Sequence, residues 1–252
     1  MDGALSSWVL PLVTGLLVAV FAVMLAMQWR TRRKVHQLWW TVGFSMYSAA
    51  ALLEAAMQIQ GGWTPLTFRL YALTSASLVA ILAHGSLALL SRDPWESRAY
   101  LAYNVLCFSG FGYGVLTTKL VTAELTSPRL SSYAALGGTA MTFPRVLSLF
   151  LTIPGTFVLL GCAFLSILRF MEKKEFAYRM WANVLIATAT VVIASGGGLA
   201  KAGHPTLFYL TELGAAILFF SGFLVAGSLK KGADKIRAGR AAAKSDQADG
   251  SE

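Results

Sequence analysis

Residues 66–90 read LTFRLYALTSASLVAILAHGSLALL, a run long enough and apolar enough to cross a lipid bilayer as one helix. Small residues recur along it at spacings of three and four, so they share one helical face: Ala72, Ala76, Ala80 and Ala83. Such a stripe lets neighbouring helix backbones approach closely in lipid. Arg69 lies on the same stripe, and a lipid-facing arginine would be costly. We therefore expect Arg69 to point into a helix bundle.

The composition of the chain is that of a polytopic membrane protein. Of its 252 residues, 56% are hydrophobic and 13% are charged, about half the charged share of a soluble domain. The net charge of +9 does not indicate a nucleic-acid partner, because the basic residues flank apolar segments, where membrane topology explains them. Cys107 and Cys162 lie in apolar runs and predict neither a disulfide framework nor a metal site.

Seven apolar segments each approach the ~20 residues that span a bilayer. They cover residues 8–29, 38–60, 66–90, 99–119, 146–168, 180–200 and 206–229. The sequence therefore predicts an all-α membrane protein, a seven-transmembrane-helix bundle over residues 1–230. We expect the tail at 231–252 to begin as a basic segment and to become disordered, because its apolar content is lost.

The distribution of basic residues predicts how the bundle is oriented. With seven spans, 16 Lys and Arg fall on one side of the membrane and 5 on the other. Because cytoplasmic loops carry the excess of positive charge, we expect the amino terminus outside and the carboxyl terminus in the cytoplasm. The chain is then a multi-pass protein of the plasma (inner) membrane, with the lipid bilayer as its first partner.

A comparison of the chain with itself suggests an internal repeat. A shift of 140 residues brings the first three spans over the last three, and Pro65 falls on Pro205. Three spans plus one linker span separate the two copies, so both copies would have the same orientation. This arrangement is a 3-1-3 parallel repeat, and repeated halves often place a ligand site between them.

Ionisable residues inside the spans define the candidate site. Glu54 lies on the second span, Arg69 on the third and Glu212 on the last, with Tyr209 one turn before Glu212 and Lys201 where the sixth span emerges. All fall in the outer half of the predicted bundle. One interpretation is an outward-facing charged pocket that binds a small solute or exchanges a proton. The other is an ion pair of Arg69 with Glu54 or Glu212 that fixes helix packing.

His84 lies near the opposite end of the third span. It is a candidate proton relay, and the alternative is a structural hydrogen bond to a neighbouring helix. A membrane haem usually needs a pair of deep histidines, and His36 and His204 lie at the surfaces, so haem is not expected. The last span has no lysine to form a retinal Schiff base. Any cofactor is unknown from the sequence.

Two functions remain open at this stage. One is a small-solute or proton-coupled carrier, which the repeat and the charged residues favour. The other is a membrane sensor, or a membrane subunit of a larger complex, that signals to a protein partner at its cytoplasmic face. An enzyme is the least favoured class, because the chain has none of the common catalytic motifs and only short loops.

Overall fold

The described part of the chain folds into seven long helices and one single-turn helix. The computed structural model describes residues 2–91, 93–126, 135–137, 141–171, 177–201 and 206–225. The helices are α1 (Asp2–Arg32), α2 (Val35–Gln60), α3 (Pro65–Leu90), α4 (Pro94–Thr117), α5 (Thr122–Leu125), α6 (Phe143–Met171), α7 (Ala177–Lys201) and α8 (Thr206–Val225). Over these residues there is no strand. The predicted tail at 231–252 lies outside them.

The long helices confirm the predicted seven-helix membrane bundle. Six of them contain apolar stretches long enough to cross a bilayer, and α7 contains a shorter one, Met180–Gly196. We call "outer" the end of the bundle at which α2 ends and α3 begins, and "inner" the end at which α1 ends and α2 begins. These two words follow the predicted orientation.

Local sequence signals explain the sharp connections between α2, α3 and α4. Gly61 ends α2 with a left-handed φ of 76°, a conformation that glycine adopts without strain. Thr64 caps α3 by accepting a hydrogen bond from the backbone N–H of Thr67, and Pro65 is the first helical residue. Asp93 caps α4 in the same way, through the N–H of Trp95 at 2.9 Å.

The predicted stripe of small residues on α3 is buried against the neighbouring helices. Ala72, Ala76, Ala80 and Ala83 are all buried, and α3 packs against α2, α4 and α6. The closest approach is to α6, where a Cβ added at Gly155 would lie 2.9 Å from the backbone nitrogen of Ala80. No side chain separates the two backbones there, so α3 and α6 cross in close contact.

The connection between α4 and α6 covers the outer end of the bundle. Leu125, on α5, and Leu136 are fully buried and belong to the same apolar cluster as Trp63 and Tyr71. The N–H of Trp63 donates to the carbonyl oxygen of Leu125 at 2.8 Å. The described part of this connection is therefore packed onto the helices.

The helix bounds are compatible with the predicted repeat. A shift of 140 residues brings the first residues of α1, α2 and α3 to within two residues of the first residues of α6, α7 and α8. We refer to α1–α3 and α6–α8 as the two halves. That the halves are repeats of one another stays a prediction.

Candidate functional site

Glu54 and Glu212 meet in the interior of the bundle. Glu54 is on α2, in the first half, and Glu212 is on α8, in the second half. Their carboxyl groups lie within hydrogen-bonding reach of each other. The side chains are 1% and 7% exposed, respectively. Two acidic groups from opposite halves of the chain are thus in contact and shielded from both water and lipid.

A shell of hydroxyl and amide groups surrounds this pair. The Tyr47 hydroxyl donates to the backbone carbonyl oxygen of Glu212 at 2.7 Å, and the Tyr71 hydroxyl hydrogen-bonds to the Glu54 carboxyl. The amide of Gln58 donates to the Tyr209 hydroxyl at 2.8 Å. We call these six residues the glutamate cluster: Tyr47, Glu54, Gln58, Tyr71, Tyr209 and Glu212.

Helical spacing explains why the cluster converges. Tyr47, Glu54 and Gln58 are seven and four residues apart on α2, so they share one face. Tyr209 and Glu212 are three residues apart on α8 and share a face in the same way. The hydrogen bond of Tyr47 to the α8 backbone fixes the depth of one helix against the other.

No basic side chain neutralises the two carboxyls among the residues that the structure describes. Neither Glu54 nor Glu212 forms an ion pair there, and Oε2 of each is buried without a hydrogen-bond donor. Two carboxylates in contact in a medium of low dielectric repel each other strongly. One proton shared between the two groups would remove this repulsion and supply the missing donor.

Arg69 does not join the glutamates, contrary to the ion pair considered from the sequence. Its Nη2 donates to the backbone carbonyl oxygen of Thr118 at 3.4 Å, and its Nε is buried without a partner. Thr118 is the residue that ends α4. The last carbonyls of a helix lack intrahelical donors and carry a partial negative charge, so they attract a guanidinium. Arg69 therefore packs against the end of a neighbouring helix.

The other predicted site residues lie apart from the carboxyl pair or outside the described side chains. The backbone of Lys201 ends α7, and its side chain is not among those described. His84 is buried, with its ring 4.7 Å from that of Trp39 and 6.1 Å from that of Tyr100. It is thirteen residues from Tyr71 on α3, or roughly 20 Å at 1.5 Å per residue. His84 is therefore not in contact with the glutamates.

The outer end of the cluster is closed by packing. The Trp63 ring lies 4.7 Å from the Tyr71 ring, and Trp63, Leu125 and Leu136 are buried in one apolar cluster. The sequence predicted an outward-facing pocket, whereas in this conformation the glutamates are covered on that side.

A cavity of about 500 Å³ opens at the inner end instead. Neither glutamate lines it. Its deep end is formed by Phe44 and Phe219, whose ring centroids are 5.4 Å apart. Tyr47 follows Phe44 by one turn of α2, and Glu212 precedes Phe219 by two turns of α8, roughly 10 Å along the helix. The aromatic pair thus separates the cavity from the glutamate cluster.

The geometry is the basis for any functional assignment, because comparison with known proteins adds none. No protein-family model, no curated protein and no solved structure matches the chain. Among the described residues, no group of three or more His, Cys, Asp or Glu could hold a metal ion.

The role of Tyr71 and the inner cavity could not be predicted from the sequence. Tyr71 lies on α3 beside the small-residue stripe, and no spacing within α3 relates it to a carboxyl on α2. The cavity is formed by residues from six helices, so only the packing of those helices reveals it. The basic residues at its mouth are visible in the sequence, but there they indicate only the topology of the chain.

Proposed function

We propose that this protein is a proton-coupled carrier of a small solute across the plasma (inner) membrane, and that Glu54 and Glu212 together bind and release the coupling proton. The observation that supports the proposal most directly is the contact of two buried carboxyls without a basic partner among the described residues. Ionisable groups inside membrane bundles commonly mark ion or proton pathways.

The location of the pair between the two halves suggests how proton binding is coupled to movement. When Glu54 on α2 and Glu212 on α8 are in contact, a shared proton relieves their repulsion. If the halves rock apart, each carboxyl can ionise separately. The protonated pair therefore favours the closed arrangement, and a deprotonated pair favours separation of the halves, as alternating access requires.

For such a carrier, the packing around the pair corresponds to a conformation closed at the outer end. Trp63, Leu125 and Leu136 cover the outer side, and the inner cavity reaches the Phe44–Phe219 pair. Movement of these two rings would open a path from the inner side to Tyr47 and the glutamates. The solute would enter or leave on this path.

A pH jump on proteoliposomes adsorbed to a solid-supported membrane tests the proposal without knowledge of the solute. Wild-type protein should give a transient current as protons reach the pair. The double variant Glu54→Gln/Glu212→Gln should give no more current than empty liposomes, because its amides cannot bind the proton. Glu96→Gln is the matched control, since Glu96 is exposed at the inner end.

Equal currents from the wild type and the double variant would contradict proton exchange at this pair. That result would favour the alternative, a sensor or a subunit of a larger complex, in which the carboxyls only hold helices together.

A further inference from the structure

The inner cavity has apolar walls and a basic mouth. Phenylalanines from three helices line its interior: Phe21 on α1, Phe44 on α2, and Phe219 and Phe223 on α8. Leu25, Leu82 and Leu159 complete the wall. The indole N–H of Trp40 donates to the Ser86 hydroxyl at 3.4 Å, so two of the polar groups in the wall bind each other. The wall is suited to a hydrocarbon chain.

The mouth of the cavity carries positive charge. Arg32 is the last residue of α1, and Arg169 lies in the last turn of α6. The Nη1 of Arg169 donates to the backbone carbonyl oxygen of Leu90 at 3.2 Å, which holds its guanidinium beside the end of α3. Within the described part of the chain, no carboxylate lines the cavity. An anion at the mouth would therefore meet two arginines and, among the residues that the structure describes, no acidic group.

The depth of the mouth matches that of lipid head groups. Arg32 and Arg169 end the apolar spans of α1 and α6. Charged residues at the ends of spans lie at the level of the head groups, and the hydrocarbon begins directly above them. The cavity volume of about 500 Å³ falls within the range of ~300–1,000 Å³ typical of ligand pockets.

From this placement we propose that the inner cavity binds one anionic phospholipid, with an acyl chain among the phenylalanines and the phosphate between Arg32 and Arg169. Basic pockets between helices on the cytoplasmic side are typical sites for anionic head groups. The proposal does not rest on proton exchange at the glutamate cluster, because neither glutamate lines the cavity.

Native mass spectrometry of the full chain in neutral detergent tests the binding. Phosphatidylglycerol should bind with a stoichiometry of one, and phosphatidylcholine with the same acyl chains should bind much more weakly. Arg32→Gln and Arg169→Gln should each weaken phosphatidylglycerol binding about five-fold, from the contribution of one basic residue near a membrane surface. Both arginines are exposed, so the variants should fold.

Arg30→Gln is the matched control, because Arg30 is exposed in the same last turn of α1 but does not line the cavity. It should leave binding unchanged, as should Glu54→Gln. Equal affinity for the two lipids, or equal weakening by Arg30→Gln and Arg32→Gln, would overturn the proposal. Displacement of the lipid by inorganic phosphate at an equal concentration would also overturn it, since the acyl chain would then contribute nothing to binding.

Quenching of tryptophan fluorescence tests the position of the acyl chain. Trp40 lines the cavity, so one equivalent of phosphatidylglycerol with brominated chains should quench its emission. Trp40→Phe should remove that part of the quenching, whereas Trp95→Phe should not, because Trp95 is exposed and is not part of the wall. Equal quenching in Trp40→Phe and the wild type would contradict an acyl chain inside the cavity.

Discussion

Glu54 and Glu212 are costly residues in a membrane interior, and their neighbours determine what they can do. An ionised side chain at the centre of a bilayer costs about 2.5–3.5 kcal/mol even on the most permissive scale. Here each acid is buried, its neighbours are tyrosine hydroxyls and the other acid, and Arg69 is bound elsewhere. In this environment, binding of a proton stabilises the pair, because no basic side chain among the described residues is in place to form a salt bridge with either carboxylate.

The hydrogen bond of Tyr47 gives a prediction at this scale. Tyr47→Phe removes the bond to the Glu212 carbonyl oxygen and leaves the ring in place. Thermal unfolding in detergent should show a loss of about 0.6 kcal/mol, and no more than about 1.7 kcal/mol, the range measured for such bonds between membrane helices. Tyr113→Phe should show no loss, because Tyr113 is 69% exposed. Equal unfolding temperatures for Tyr47→Phe and the wild type would contradict the bond.

The acidic members of the cluster could be predicted from the sequence, but the position of Arg69 could not. Glu54 and Glu212 interrupt apolar spans at similar depth, so their burial follows from the cost of exposing them to lipid. The partner of Arg69 depends on where α4 ends relative to α3. That end is set by tertiary packing. The sequence therefore does not show that the Thr118 carbonyl oxygen, at the end of α4, lies within reach of Arg69.

The crossing of α3 and α6 depends on a single glycine. Gly155 faces the backbone of Ala80, and any side chain there must push the two helices apart. Gly155→Ala should lower stability by about 1–3 kcal/mol, the usual cost of overpacking, measured as thermal unfolding in detergent. Gly161→Ala is the control on the same helix, because a Cβ there would meet nothing within 4 Å. Equal losses in the two variants would show that the crossing is looser than described.

The long helices were predictable, whereas the single turn α5 was not. Apolar runs of about 20 residues predict each long helix, and the structure adds the caps Thr64 and Asp93, at which α3 and α4 begin. The connection between α4 and α6 is moderately apolar and interrupted by glycines and a proline, so its sequence does not determine how it packs. Its packing depends on residues distant in the sequence: Leu125 and Leu136 share an apolar cluster with Trp63, whose N–H donates to the Leu125 carbonyl oxygen.

At the scale of the whole molecule, the seven-helix bundle followed from the sequence because lipid imposes one demand on every span. Each must be apolar, helical and about 20 residues long. No such requirement predicts the inner cavity from the sequence, because the cavity is the space that the side chains of six packed helices leave unfilled.

The orientation of the bundle can be tested with introduced cysteines. Thr122 is exposed at the outer end and Glu96 at the inner end, while the native Cys107 and Cys162 are buried. A membrane-impermeant maleimide should label Thr122→Cys in intact cells and Glu96→Cys only after permeabilisation, because the excess of basic residues predicts that the inner end faces the cytoplasm. The reverse pattern would contradict the orientation.

The contact and shared proton of Glu54 and Glu212 are tested most directly by infrared spectroscopy across a pH titration. The wild type should show the C=O stretch of a protonated carboxyl at neutral pH, and raising the pH should bleach it, because ionising both groups puts two like charges in contact. Glu54→Gln and Glu212→Gln should each shift the band, since each changes the hydrogen-bond partner of the remaining acid, and the double variant should lack it. A band unchanged in the double variant, or two single variants that leave the frequency unaltered, would contradict the pair.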